Sequence, residues 1–119
     1  MKIILVSRDL MFISRVKEVA AANGHQAVIA KTTTALADAI ASRGVDERGV
    51  LLLDLEKSPL TVPELEIVVR DLPKETWTCV SFYSHVHLET AEQAKIAQLG
   101  QVMPRSRFVQ LLSQLVAVE

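Results

Sequence analysis

Short aliphatic runs alternate with amphipathic stretches along this chain. That alternation predicts a parallel β-sheet covered by helices on both faces. The segments that predict strands are 2–6, 26–30, 50–54, 78–83 and 101–103. Because the first, third and fourth are almost continuously apolar, we expect them to form the centre of the sheet.

The first two predicted helices are bounded by polar and glycine residues. Helix one is expected to follow Asp9 as its N-cap and to stop at Gly24, a residue that readily adopts the left-handed conformation. Helix two is expected to begin near Thr33 or Thr34 and to end before position 44. Its apolar face is predicted to consist of Leu36, Ile40 and Ala41.

The last three helices differ in the strength of their signals. Thr61 and Glu64 form a capping-box pattern with Pro63 in the first turn, which predicts the start of helix three. Helix four, over about 88–99, shows a thin apolar stripe that includes Ile96. Helix five is predicted to start at a Ser106 cap and has the cleanest amphipathic pattern in the chain.

Five strand–helix units in 119 residues predict one α/β domain over residues 1–119. The expected fold is a flavodoxin-like (βα)5 doubly wound parallel sheet, with strand order 2-1-3-4-5 in three layers, α/β/α. In this fold the carboxyl ends of strands one and three are neighbours, and ligands bind at that edge. Asp54, which closes strand three, should therefore lie beside Ser7, Arg8 and Asp9.

Charge and cysteine content narrow the possible environment. The formal net charge is −1, which favours neither nucleic acid nor an anionic membrane as a partner. The single cysteine, Cys79, rules out an internal disulfide and is expected to be a small core residue. The first residues continue directly into a strand pattern rather than a signal peptide, and no apolar stretch reaches transmembrane length. We therefore expect a cytoplasmic protein.

Four segments give the chain a resemblance, over essentially its whole length, to the receiver (CheY-like) domains of two-component response regulators. Residues 4–9 end where receivers carry acidic metal ligands, and residues 51–54 match the phosphoacceptor strand that ends here in Asp54. Ser84 matches the hydroxyl residue after strand four, and Arg105 lies where receivers have a lysine. The resemblance implies Asp54 as the phosphoacceptor equivalent and a pocket made of Ser7, Arg8, Asp9, Ser84 and Arg105.

Departures from the receiver pattern fall on the residues that carry its chemistry. Ser7 and Arg8 replace the acidic pair, whereas Mg²⁺ requires oxygen ligands and is repelled by a guanidinium. Val102 stands in place of the aromatic switch residue. Pro59 comes one position late after Asp54, with no glycine before helix three. The sequence therefore predicts weak or absent Mg²⁺ binding and no other cofactor.

Each candidate residue has two interpretations. Asp54 either pairs structurally with Arg8 or Arg105, which would keep it ionised, or acts as a nucleophile. Ser84 either caps helix four or contacts a phosphoryl group. Arg105 is either a solvated loop cation or a pocket residue, and its alignment with the receiver lysine favours the pocket.

Three histidines add little to these expectations. His85 and His87 could chelate a metal but lack an identifiable third ligand, so a loop position is the better interpretation and no metal site is expected. His25 precedes a strand and is expected to be exposed.

The predicted function is a signal-transduction protein-interaction module, a stand-alone pseudo-receiver rather than an enzyme. The alternative is an unconventional response regulator that is still phosphorylated on Asp54. A small flavodoxin-like enzyme or nucleotide binder is disfavoured, because residues 7–11 contain no glycine for a phosphate loop.

Protein partners follow from the same resemblance. We expect a histidine kinase or an output protein to bind, and a weak homodimer to form through helix four, strand five and helix five. Val109 and Val118, expected off the core face of helix five, would contribute to that surface.

Overall fold

The computed structural model describes residues 1–84 and 88–117, and over those residues five strands alternate with five helices. The strands are β1 Lys2–Val6, β2 Ala27–Ile29, β3 Gly49–Asp54, β4 Trp77–Tyr83 and β5 Gln101–Pro104. The helices are α1 Leu10–Ala22, α2 Thr33–Ala41, α3 Val62–Arg70, α4 Leu88–Ile96 and α5 Arg105–Leu115. The order of elements predicted from the hydrophobic pattern is confirmed.

The five strands form one all-parallel sheet in the order β2-β1-β3-β4-β5. This confirms the flavodoxin-like α/β fold. In the register of the two central strands, Val6 pairs with Leu53. The next residue along each chain, Ser7 on one side and Asp54 on the other, therefore comes to the same edge of the sheet.

The protein has three layers, helices, sheet and helices, and an apolar core lies between the sheet and the helices on each face. Helices α1 and α5 cover one face, where Phe12, Val16, Phe108 and Leu112 pack on residues such as Leu5 and Leu52. Helices α2, α3 and α4 cover the other face. There the buried side chains include Leu36, Leu65, Ala94, Leu51 and Leu53.

Local capping explains where two of the helices begin. The Asp9 side chain accepts a hydrogen bond from the Phe12 amide at 3.2 Å, as predicted for the N-cap of α1. Thr61 and Glu64 form the predicted capping box at the start of α3, with each side chain bonded to the other residue's backbone amide.

The predicted cap of α5 was wrong. Strand β5 runs through Pro104 and the helix begins at the next residue, so Pro104 holds the N-cap position without a side-chain hydrogen bond. Ser106 consequently lies inside the first turn. The sequence pattern located the helix but not the absence of a loop before it.

Three side chains lie on faces other than those predicted. In α2 the buried alanine is Ala39, while Ala41 is exposed, because the helix turns its 36/39 ridge to the sheet. Helix α4 ends at Ile96, and that side chain is 82% exposed rather than part of the apolar stripe. In α5, Val109 is partly buried against the core, so it does not lie off the core face as expected.

The turn after α4 depends on a glycine. Gly100 has a φ of +74°, and a Cβ atom there would lie 2.1 Å from the carbonyl oxygen of Cys79. The chain therefore approaches the β4 backbone more closely than any other residue type allows. Within the described residues, no helix has the length and apolar character needed to cross a membrane.

Candidate functional site at the carboxyl edge of the sheet

Asp54 is buried at the end of β3, with only 1% of its surface exposed. One carboxylate oxygen, Oδ2, accepts a hydrogen bond from the Ser7 hydroxyl at 2.7 Å. The other, Oδ1, accepts bonds from the backbone amides of Glu56 and Lys57 at 3.0 and 3.1 Å. A buried carboxylate requires such donors to offset its loss of hydration. Both oxygens of Asp54 are therefore engaged by uncharged groups of the protein itself.

Ser7 is fully buried and uses its hydroxyl in both directions. The Ser7 O–H group donates a hydrogen bond to Asp54, and the Ser7 oxygen accepts a hydrogen bond from the Asp9 amide at 3.0 Å. A serine hydroxyl has one proton to donate, so the bond to Asp54 uses all of its donor capacity. The result is a hydrogen-bonded link from the start of α1 through Ser7 to the end of β3.

Arg105, the first residue of α5, is held by two carboxylates and an aromatic ring. Its Nη2 atom donates to Asp9 Oδ2 at 2.8 Å, and its Nη1 atom lies 3.5 Å from Glu56 Oε2. The guanidinium carbon lies 4.6 Å from the centroid of the Phe12 ring, within the range of a cation–π contact. The Arg105 side chain is only 30% exposed. These contacts tie the Arg105 side chain to Asp9, Glu56 and Phe12, so it is not a freely solvated loop cation.

Asp9 has two tasks. One oxygen caps α1, and the other pairs with Arg105. The hydrogen bond from Arg105 is the main reason that the pKa of the Asp9 carboxyl lies below its ordinary value. Partial burial acts in the opposite direction, while the Phe12 amide and the Lys57 ammonium, 3.9 Å away, lower the pKa further.

The expected pairing of Asp54 with an arginine was wrong. Among residues 1–84 and 88–117, no ion pair joins Asp54 to Arg8 or to Arg105. The Arg8 side chain is exposed, and its backbone amide donates to the Lys57 carbonyl at 2.8 Å. Arg105 reaches Asp9 and Glu56 instead. A buried carboxylate with hydroxyl and amide donors already in place offers little access to a long cationic side chain.

The remaining sequence candidates are placed as follows. Ser84 lies directly after β4 and is half-buried, two residues beyond Phe82, the register partner of Asp54. His85 and His87 lie outside the described residues. His25 is partly buried rather than exposed, and within the described part of the chain its Nε2 atom has no hydrogen-bond partner.

Three phenylalanines pack against one another in the core on the α1 and α5 face of the sheet. Phe82 stacks on Phe108 with ring centroids 4.1 Å apart, and Phe12 contacts both rings at 4.8 and 5.6 Å. Phe12 is also the ring beneath the Arg105 guanidinium. The Arg105 guanidinium therefore contacts a side chain of the apolar core.

Glu56 is the site residue that sequence reasoning missed. It lies two positions after Asp54, on the loop that follows β3, and its carboxylate is the second partner of Arg105. Its place at the carboxyl end of a central strand was a usable signal. The sequence comparison with receivers directed attention to the residues before and at Asp54 instead.

Because the sequence resembles receivers, whose site holds Mg²⁺, these side chains can be tested for their fit to that ion. The Asp54 oxygens already accept from Ser7 and two backbone amides, and the Asp9 oxygens accept from Phe12 and Arg105. Over the described ranges, no group of three histidine, cysteine, aspartate or glutamate side chains is arranged to hold a metal ion. A hard cation that demands several free oxygen ligands does not fit this donor set.

Comparisons with known proteins add no identification. No protein-family model matches the chain, no curated protein matches it, and no solved structure matches it.

Proposed function

We propose that this chain is a pseudo-receiver, a cytoplasmic protein-interaction module of signal transduction that resembles response regulators without using Mg²⁺-dependent aspartyl phosphorylation. It acts by binding other proteins rather than as an enzyme. The fold is compatible with many functions, so the proposal depends on the site.

The observation that carries the proposal is the hydrogen bond between Ser7 and Asp54. Ser7 stands where the resemblance places an acidic metal ligand, and its hydroxyl is bonded to the residue that would accept a phosphoryl group. In-line attack on a phosphorus atom requires a nucleophile that the phosphorus can approach and cations that neutralise the phosphoryl oxygens. Asp54 is buried, and both of its oxygens already accept hydrogen bonds.

The cation of the site supports the same proposal. In a receiver-like mechanism Arg105 would reach toward the phosphoryl group. Here its two amino groups are turned to Asp9 and Glu56, and its guanidinium carbon lies 4.6 Å from the centroid of the Phe12 ring. Its release would break two charge-assisted contacts at once. We therefore assign Asp54 a structural role, in which Ser7 and two backbone amides hold it rather than an arginine.

The proposed contact surface is the one formed by α4, β5 and α5, where receivers bind their partners. On α4, Leu88 and Ile96 expose 62% and 82% of their surface. The proposed partners are a histidine kinase, an output protein or a second copy of the chain, which would bind weakly. Val109 contributes less to this surface than the sequence suggested, and Val118 lies outside the described residues.

Affinity capture with the intact protein tests the proposal. The bait is the wild-type protein, with Asp54→Asn and an Ile96→Asp variant beside it, each in the presence of Mg²⁺ and of a chelator. We expect a partner that is retained equally by wild type and Asp54→Asn, is insensitive to chelation, and is lost with Ile96→Asp. Capture that requires both Mg²⁺ and Asp54 would instead support the alternative, a regulator phosphorylated on Asp54.

A further inference from the structure

A cavity of about 580 Å³ opens at the edge of the sheet opposite Asp54. It lies between the end of α3 and the turn after α4, above the first residues of β4 and β5. Small-molecule sites in proteins commonly have volumes of about 300 to 1,000 Å³ and combine an apolar wall with a few polar groups. The volume of this cavity is therefore that of a small-molecule site.

The inner wall of the cavity is apolar. Val69 and Leu72 contribute from the α3 side, and Ala97 contributes from the turn after α4. The thiol of Cys79 belongs to the same wall, and burial raises its pKa to about 12, so it is uncharged at neutral pH. Gly100 completes the wall without a side chain. An apolar chain would find contacts on several sides here.

The charged residues of the lining are mainly cationic. Arg70 and Lys74 carry positive charge, against one acid, Glu66. Arg70 has a neighbour in Asp71, with Nε 3.9 Å from Oδ1, but both side chains are more than half exposed and such a pair contributes little. The Arg70 guanidinium therefore remains able to bind an incoming carboxylate.

We propose that this cavity binds a free, small amphipathic monocarboxylate, with its apolar body against Val69, Leu72 and Ala97 and its carboxylate beside Arg70 and Lys74. The proposal goes beyond the proposed function. The cavity shares the Ile96 side chain with the proposed contact surface, but binding of a monocarboxylate does not require a protein partner on that surface. The cavity lies at the amino ends of the strands, so neither the Ser7–Asp54 bond nor the state of Asp54 enters the argument.

The chain contains its own reporter for this site. Trp77 is the only tryptophan of the sequence and belongs to the cavity lining. Its ring also packs directly on Gly49, where a Cβ atom would lie 2.4 Å from the ring. A ligand that enters the cavity changes the surroundings of Trp77 and hence its fluorescence.

The experiment is a fluorescence titration of the intact protein with decanoate, kept below its micelle-forming concentration. Decanol serves as the uncharged counterpart with the same apolar body. We expect a saturable change with decanoate and binding about tenfold weaker with decanol, because a charge-assisted contact is lost. The Arg70→Glu/Lys74→Glu double variant should weaken decanoate binding by at least the same factor. The control Lys17→Glu, an exposed lysine of α1 on the other face of the sheet, should leave it unchanged.

A blocking variant and a direct map complete the test. Ala97→Phe, which fills the cavity, should abolish binding in a protein whose circular dichroism spectrum is unchanged. In the wild-type protein, decanoate should shift the amide resonances of Gly100 and Gln101. A response that does not saturate, equal affinity for decanol, or shifts confined to other residues would overturn the proposal.

Discussion

The hydroxyl of Ser7 donates a hydrogen bond to Asp54 across 2.7 Å, with both side chains almost completely buried. This bond joins the ends of the two central strands. It also occupies the carboxylate on which the chemistry of a receiver-like protein would depend. The stability of the edge and the proposed loss of phosphoryl chemistry therefore have the same structural origin.

Ser7→Ala should destabilise the protein. The change removes the hydroxyl group that donates to Asp54 Oδ2, and this buried oxygen then lacks a hydrogen-bond donor. We expect the free energy of unfolding to fall by about 1–3 kcal/mol. Urea denaturation measures the difference. The matched control is Ser14→Ala, an exposed serine of α1, which should change stability by less than about 0.5 kcal/mol. Equal effects of the two changes would contradict the importance of the Ser7–Asp54 bond.

Asp9→Asn should reduce stability at neutral pH and lose its effect in acid. Asparagine still caps α1, so the change mainly removes the charge that pairs with Arg105, a difference of about 1 kcal/mol at this partly exposed site. The folded-state pKa of Asp9 lies below the ordinary 3.8, so its contribution is complete above pH 3.8 and disappears as the pH falls through the folded value.

The measurement for Asp9 is urea denaturation over a pH series, with Asp38→Asn, an exposed acid of α2, as the control that should have little effect. The difference between wild type and Asp9→Asn should shrink on acidification below pH 3.8. A difference that stays constant into acid would show that the ion pair with Arg105 contributes nothing.

Gly100→Ala should be far more damaging than Gly24→Ala. Both glycines have positive φ, +74° and +78°, so alanine costs about 1–2 kcal/mol in conformation at either position. At Gly100 the new Cβ would also meet the Cys79 carbonyl oxygen at 2.1 Å, whereas nothing lies within 4 Å at Gly24. We expect a loss of about 3 kcal/mol or more for Gly100→Ala. Similar melting temperatures for the two variants would refute the steric argument.

The fold was largely predictable because its signals are local. The apolar run before Asp54 identifies a central strand, and the caps at Asp9 and Thr61 need only neighbouring residues. Once five strand–helix units are recognised, the handedness of crossovers leaves few possible sheet orders. The prediction of Ser106 as the N-cap of α5 was wrong because no local sequence pattern shows that β5 continues directly into α5.

The composition of the site was predictable, but its pairing was not. The topology alone brings Ser7, Asp9, Asp54 and Arg105 to one edge. Which carboxylate Arg105 selects depends on side-chain reach and on burial: Asp54 is hidden behind its own donors, while Asp9 and Glu56 remain accessible. The sequence offers no measure of either quantity, so the choice of Asp9 and Glu56 by Arg105 could not be predicted.

A gain-of-binding variant tests why Mg²⁺ is excluded. The double change Ser7→Asp with Arg8→Asp supplies two carboxylates at the edge of the sheet and removes the hydroxyl that occupies Asp54. Isothermal titration with Mg²⁺ should be flat for the wild-type protein and show measurable binding for the double variant. The single variant Arg8→Asp is the control and should remain silent, because Arg8 is exposed and Ser7 still donates to Asp54. Binding of Mg²⁺ by the wild-type protein would contradict the proposed exclusion.

Incubation with a small phosphodonor and Mg²⁺, followed by intact-mass measurement, shows whether Asp54 accepts a phosphoryl group. The Asp54→Asn variant treated in parallel identifies any modification at other residues. We expect the wild-type mass to be unchanged, because Asp54 is buried and both of its oxygens are hydrogen-bonded. A mass gain of one phosphoryl group in the wild type that is absent from Asp54→Asn would contradict the pseudo-receiver proposal and establish the alternative, a regulator phosphorylated on Asp54.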